Sequence, residues 1–239
     1  MTVTQERSLI GDLYARLSNL PTGFIGALLA VPALPLFVGF GIGTEIMILG
    51  LFALSYNLMF GLTGLLSFGH ALFYGLGAYL AASIVIEMGL PLVPTLLAVM
   101  IVIGALSFLV GLVSIRLSGI AFAMVTLAFA QLGYELVLEF NDLTGGADGL
   151  LGIYRPSPFG FGVVDITSEL VFYAFCGIVT LIFVGYTYVL SRSLFGRTLK
   201  AIRINDERTQ SLGVNTYRVK VVVFTVAGGI GAVAGGLWS

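Results

Sequence analysis

The sequence predicts an all-α protein, a polytopic transmembrane bundle of about seven spans with Gly-rich, closely packed or interrupted helices. Three observations predict it. The 239 residues are 58% hydrophobic and 10% charged, with a mean hydropathy of +1.07, whereas soluble domains carry about 25% charged residues. Apolar runs of roughly 20 residues, enough to cross a hydrocarbon core, recur along the chain. The 32 glycines exceed what a soluble helical protein tolerates, but glycine is common where membrane helices approach closely.

Residues 1–22 mix Glu6, Arg7, Asp12 and Arg16 with scattered apolar residues. That is not the basic-then-apolar pattern of a cleaved signal peptide, so the expectation is a cytoplasmic amphipathic lead-in. A transmembrane domain over 23–239 follows. Its first span is read at Gly23–Phe40, kinked by Pro32 and Pro35, with a tight turn at Gly41–Thr44. The second span is read at Glu45–Leu66 and the third at His70–Met88. Between them a polar break, Ser67–His70, either separates two spans or interrupts one at membrane depth. Small residues recur at intervals of four (Ala71 with Gly75, Gly77 with Ala81, Ala78 with Ala82), a spacing that lets helix backbones pack closely.

Further spans are read at Pro91–Ile115, Leu117–Leu138 and Glu169–Leu190, with a last apolar run at Val221–Trp238. Between them lie an external loop, 141–168, that is polar and rich in Gly and Pro, and a cytoplasmic loop, 191–220. The cytoplasmic loop holds seven of the eleven Lys and Arg residues against Asp206 and Glu207, a formal +5. Basic loops stay on the cytoplasmic side. Six spans between the lead-in and this loop return the chain to the same side, so charge and parity agree.

Within that loop, Asn205 or Asp206 can cap a short helix running to Leu212, with Gly213 as a left-handed cap. Such a helix between two spans is a mechanical handle; the plainer reading is a solvated loop that only fixes orientation. His70 is the only histidine and Cys176 the only cysteine, which excludes a two-histidine metal site and an internal disulfide. A packing histidine is expected ahead of a substrate contact. Gln131, Glu135 and Glu139 share one helix face, read as interfacial slightly ahead of a substrate role. Asn57 and Thr126 either line a path or bond between helices. No phosphate loop or H-E-x-x-H motif occurs, no cofactor is implied, and nucleic-acid binding has little support. An ATP-driven device would need its ATPase on another chain.

Three stretches carry a family resemblance: Leu54–Ala82, Thr144–Ile153 and Ser193–Phe224. In order and spacing they resemble the permease subunits of bacterial ABC importers for branched-chain amino acids, in the LivM-like branch. The resemblance implies a multi-pass protein of the bacterial inner membrane with a cytoplasmic N-terminus. Its implied partners are a LivH-like permease subunit, two ATP-binding cassette ATPase subunits, a periplasmic solute-binding protein and membrane lipid. It also implies that Asp206, Glu207, Arg208, Leu212 and Gly213 couple to the ATPase, although Arg208 and Thr209 stand where the family has small residues. Asn57, Ser67, His70, Thr126, Gln131 and Glu135 are the candidate substrate path. Family members continue beyond the position of Trp238, so the domain is expected to be truncated at its C-terminus. A urea- or amide-type permease, a nonfunctional permease fragment and a secondary transporter are the alternatives.

Overall fold

The computed structural model describes residues 22–146, 149–150, 157–158 and 168–239. The expected lead-in and much of the external loop lie outside the described residues. The described residues contain nine helices and no strand: α1 (Thr22–Thr63), α2 (Ala71–Met88), α3 (Leu92–Ser114), α4 (Gly119–Glu139), α5 (Asn141–Thr144), α6 (Glu169–Arg192), α7 (Leu194–Ile204), α8 (Asp206–Ser211) and α9 (Thr216–Trp238). Six are long and apolar enough to cross a membrane, α1 over Phe37–Thr63.

One expectation about α1 is corrected here. No tight turn occurs at Gly41–Thr44, which is helical, whereas the run from 23 up to Gly39 is helical as expected. The non-helical backbone falls instead at Gly39, with φ 78 and ψ 171, a conformation open to glycine because it has no Cβ. Gly43 stays in the helix against the Tyr173 ring, with no room for a Cβ.

Helix ends follow their local chemistry. Gly89 closes α2 in a left-handed conformation, and Pro91, whose missing N–H costs nothing there, precedes α3. Asn215 starts α9 by accepting the Arg218 N–H at 3.0 Å, so that helix begins five residues before the apolar run at Val221.

The bundle is built around α9. Of its membrane-crossing stretch 78% is buried, against 22% for α4 at the edge. Its glycines allow this enclosure. A Cβ on Gly235 would fall on the Tyr74 carbonyl, one on Gly228 on Ser107 Oγ, and one on Gly77 of α2 on the Ala232 carbonyl. Gly77, Ala78 and Ala81 thus meet α9 as their spacing predicts, while Gly75 opens onto empty space. Phe224 of α9 packs edge-on against Phe73 and Phe122, with centroids 5.6 and 6.1 Å away. Ser107 donates to the Phe224 carbonyl at 3.0 Å. Interhelical hydrogen bonds in membranes average about 0.6 kcal/mol, so close backbone packing carries more of the association here.

Long-range contacts sort the helix ends. Tyr217 donates to the Leu112 carbonyl at 2.8 Å and Arg203 donates to the Gly61 carbonyl. The ends of α1 and α3, all of α7 and the start of α9 therefore share one basic end. At the other end Phe40 packs edge-on against Tyr173, and Glu45, Glu169 and Trp238 line one cleft. Large apolar side chains such as Ile101, Ile120, Met124 and Ile182 face outward, as lipid-facing residues do.

Candidate functional site

At the basic end the chain breaks between α6 and α7 at Ser193, and Gly196 in the first turn of α7 lies so close to the Leu190 carbonyl that a Cβ would strike it. Ser193 caps α7 by accepting the Gly196 N–H at 3.1 Å. Gly196, Leu199 and Ile202 face inward at spacings of three, while Arg197, Lys200 and Arg203 face out. That periodicity lays α7 against the end of the bundle.

The short helix predicted after Asn205 is present as α8. Asn205 is the cap, accepting the Arg208 N–H at 2.9 Å, and Gly213 follows the helix at φ +86 with its N–H on the Gln210 carbonyl. Asp206 does not cap. Its Oδ2 lies 2.6 Å from Lys220 Nζ in the first turns of α9, and Gln210 Nε2 donates to Thr216 Oγ1 at 2.9 Å. Burial acts to raise the Asp206 carboxyl, but the Lys220 ammonium and the neighbouring Thr216 and Gln210 outweigh it, and it sits below the usual carboxylate value. Glu207 and Arg208 are exposed. So are Leu212, at 79%, and Ile204, at 86%. Two bare aliphatic side chains thus flank α8 on the outer surface of the basic end. Ile204, Gln210, Thr216 and Lys220 had no sequence signal beyond lying in the loop. The Asp206–Lys220 spacing of 14 becomes a contact only because the chain turns back at Gly213.

The polar break is a loop between two spans, and it re-enters the bundle. Gly64, at φ +76, ends α1 and the chain stays non-helical until Ala71. His70 meets Ser55, eight residues or about 12 Å back from the end of α1. Non-helical backbone at such depth must be satisfied by protein. The Phe68 N–H is satisfied by Thr126 Oγ1 at 3.1 Å, and Gly69 lies so close to the Thr126 carbonyl that no Cβ fits.

His70 is buried, with its Nε2 2.8 Å from Ser55 Oγ. The Ser55 hydroxyl donates to the Phe52 carbonyl at 2.6 Å. With that proton committed, Ser55 can only accept, so Nε2 carries the imidazole proton and Nδ1 is a bare acceptor. Nδ1 and Ser67 Oγ are buried without a hydrogen-bond partner among the described residues. The rings of Phe52, Tyr56 and Phe73 surround the imidazole at 5.4–5.9 Å.

The structure thus brings Ser67, His70 and Thr126 together and adds Ser55, which no motif announced. Gln131 and Glu135 are separate, hydrogen-bonded to each other at 2.8 Å on the exposed face of α4. Asn57 is alone on an exposed face of α1, beside Gly61. Among the described residues no group of three His, Cys, Asp or Glu side chains could hold a metal ion.

Comparison with known proteins gives this arrangement a context. The family model described as the permease component of the branched-chain amino acid transport system matches residues 39–239. The chain is 32% identical, over 90% of its length, to the high-affinity branched-chain amino acid transport system permease protein LivM of Salmonella typhimurium. It is 31% identical over the same share to LivM of Escherichia coli. The permease protein BraD of Pseudomonas aeruginosa is 26% identical over 77% of this chain and 64% of its own. The chain spans 56% of the length of either LivM protein. No solved structure gives a significant match. With its re-entrant glycine-rich loop, its capped helix at the basic end and its matched span of 201 residues (39 to 239), the chain belongs to the branched-chain amino acid transport system permease family.

Proposed function

We propose that this chain is the membrane permease subunit of an ABC importer that translocates branched-chain amino acids using ATP hydrolysed by partner subunits. The observation that carries the reading is α8, a capped helix held at the basic end between two spans, with Ile204 and Leu212 bare beside it. Two large aliphatic side chains left bare on either side of a polar helix form the kind of patch that a partner can cover.

Asp206, Glu207, Arg208, Leu212 and Gly213, with Ile204, form the surface gripped by an ATP-binding cassette subunit. The concentration of Lys and Arg supports a cytoplasmic position for this end at a bacterial inner membrane, and counting the apolar 23–40 run as a span ahead of the five that follow returns the N-terminus to the same side. A LivH-like permease subunit, two ATPase subunits and a periplasmic solute-binding protein complete the assembly. Substrate passes the re-entrant loop at Ser67, His70 and Thr126 and the α4 face at Gln131 and Glu135, with Asn57 near the cytoplasmic exit. Acidic side chains at membrane depth belong on a path or interface rather than against lipid. Alternating access requires these contacts to differ between two states.

The test is co-purification with the candidate ATPase subunits followed by amino-acid uptake in vesicles. Ile204→Asp and Leu212→Asp together should abolish co-purification while leaving membrane insertion intact. Undiminished ATPase retention by that double variant would remove the basis of the reading.

A further inference from the structure

We propose that Lys220 is a positioning residue that locks α8 and α9 into one lever, and that α9 delivers movement of α8 to the His70 loop in the bundle interior. The inference rests on the importer reading and adds the route by which force at the surface reaches the path.

A helix of six residues is too short to hold its own orientation. Two ties fix α8 to the first turns of α9: Asp206 to Lys220 at 2.6 Å and Gln210 to Thr216 at 2.9 Å. Lys220 is only 14% exposed, so its ion pair is less screened than one at an open surface. Above Lys220, α9 continues unbroken for eleven residues, about 16 Å, to Gly231. There a Cβ would stand 3.3 Å from both His70 Nε2 and Ser55 Oγ. The backbone of α9 therefore lies directly against the pair that holds the re-entrant loop.

Along this route Gly228 and Gly229 bring α9 directly against Ser107 and Met100 of α3, and close-packed interiors transmit displacement rather than absorb it. A shift or rotation of α8 thus reaches Ser55 and His70 with little loss. A pair that merely anchored a loop would give a different result. Its removal would loosen α8 but leave the interior's response to nucleotide as it was.

The experiment uses the assembled complex in vesicles, with Cys176→Ser and Phe68→Cys supplying one reporter thiol in the loop. ATPase rate, leucine uptake and nucleotide-dependent labelling at position 68 are read together. Lys220→Met should keep assembly and basal ATPase but lower leucine moved per ATP by about tenfold, within the usual span of coupling energies. It should also remove the nucleotide dependence of labelling. The exchanged pair Asp206→Lys with Lys220→Asp should recover both readouts relative to either single change, and Lys220→Arg should retain them. Normal coupling and labelling in Lys220→Met, or no recovery in the exchanged pair, would overturn the lever. If the parent complex itself neither binds ATPase nor takes up leucine, the importer reading falls and the lever falls with it. Uptake by the parent and by Lys220→Met alike removes the lever alone.

Discussion

Lys220 Nζ lies 2.6 Å from Asp206 Oδ2, across a turn that separates the two residues by fourteen positions. The pair joins a short, largely exposed helix to the membrane helix with the largest buried share among the described spans. Because its effect depends on charge, it also makes a prediction about acid.

Asp206 is held below its ordinary value, burial being outweighed by Lys220 and its polar neighbours. A carboxylate lowered on folding contributes fully above its unfolded value, about 3.9, and the contribution fades as pH falls through the folded one. A spin label at Leu212→Cys, with Cys176→Ser, should show unchanged mobility from about pH 8 to about pH 5 and release only below about pH 4. In Asp206→Asn the label should already be mobile at neutral pH. Release of the parent label near pH 6 would contradict the assignment.

The Asn205 cap should matter independently of charge. Asn205→Ala removes the acceptor for the Arg208 N–H, at a typical cost of about 1 kcal/mol. Proteolysis within 206–213 should quicken while the thermal midpoint of the bundle hardly moves. Asn205→Asp and Asn205→Ser should restore resistance, since either side chain can accept the same bond.

Close packing on α9 separates large effects from small ones. Gly235→Leu would push a side chain into the Tyr74 carbonyl, and overpacking typically costs about 1–3 kcal/mol or more. Ser107→Ala loses one interhelical hydrogen bond, on average about 0.6 kcal/mol. Thermal unfolding in detergent should therefore rank Gly235→Leu far below Ser107→Ala. The reverse order would mean that α9 does not sit where its glycines put it.

Ser55 sets the proton position of His70. In Ser55→Ala the Nε2 hydrogen bond is lost, and the imidazole is free to move its proton to Nδ1. Nitrogen chemical shifts of labelled histidine should report the Nε2–H tautomer in the parent and a mixture in Ser55→Ala. As the only histidine, His70 gives an unambiguous signal.

Hydropathy made most of the spans legible, because a crossing helix needs a long apolar run and little else. It misread the entry into α1, where glycines at 39, 41 and 43 look alike in sequence. Only backbone geometry singles out Gly39, while Gly43 stays helical with the Tyr173 ring packed against it. The cap at Asn205 and the turn at Gly213 were readable because capping is local chemistry. The Lys220, Ser55 and Gly231 contacts were not, since they depend on which helices become neighbours. The Ser67–His70 segment stood out as polar, but its depth follows from the chain turning back beside Thr126.

The enclosure of α9 also constrains how the protein is made. Ribosomes deliver α1 to α6 into the bilayer before the helix that most of them surround. Until it arrives, Phe73, Ser107 and Phe122 have no Phe224 to meet, so the early spans must wait as a loose, lipid-filled cluster. These spans close up only when a slim, glycine-faced rod is threaded into a place already ringed by its neighbours.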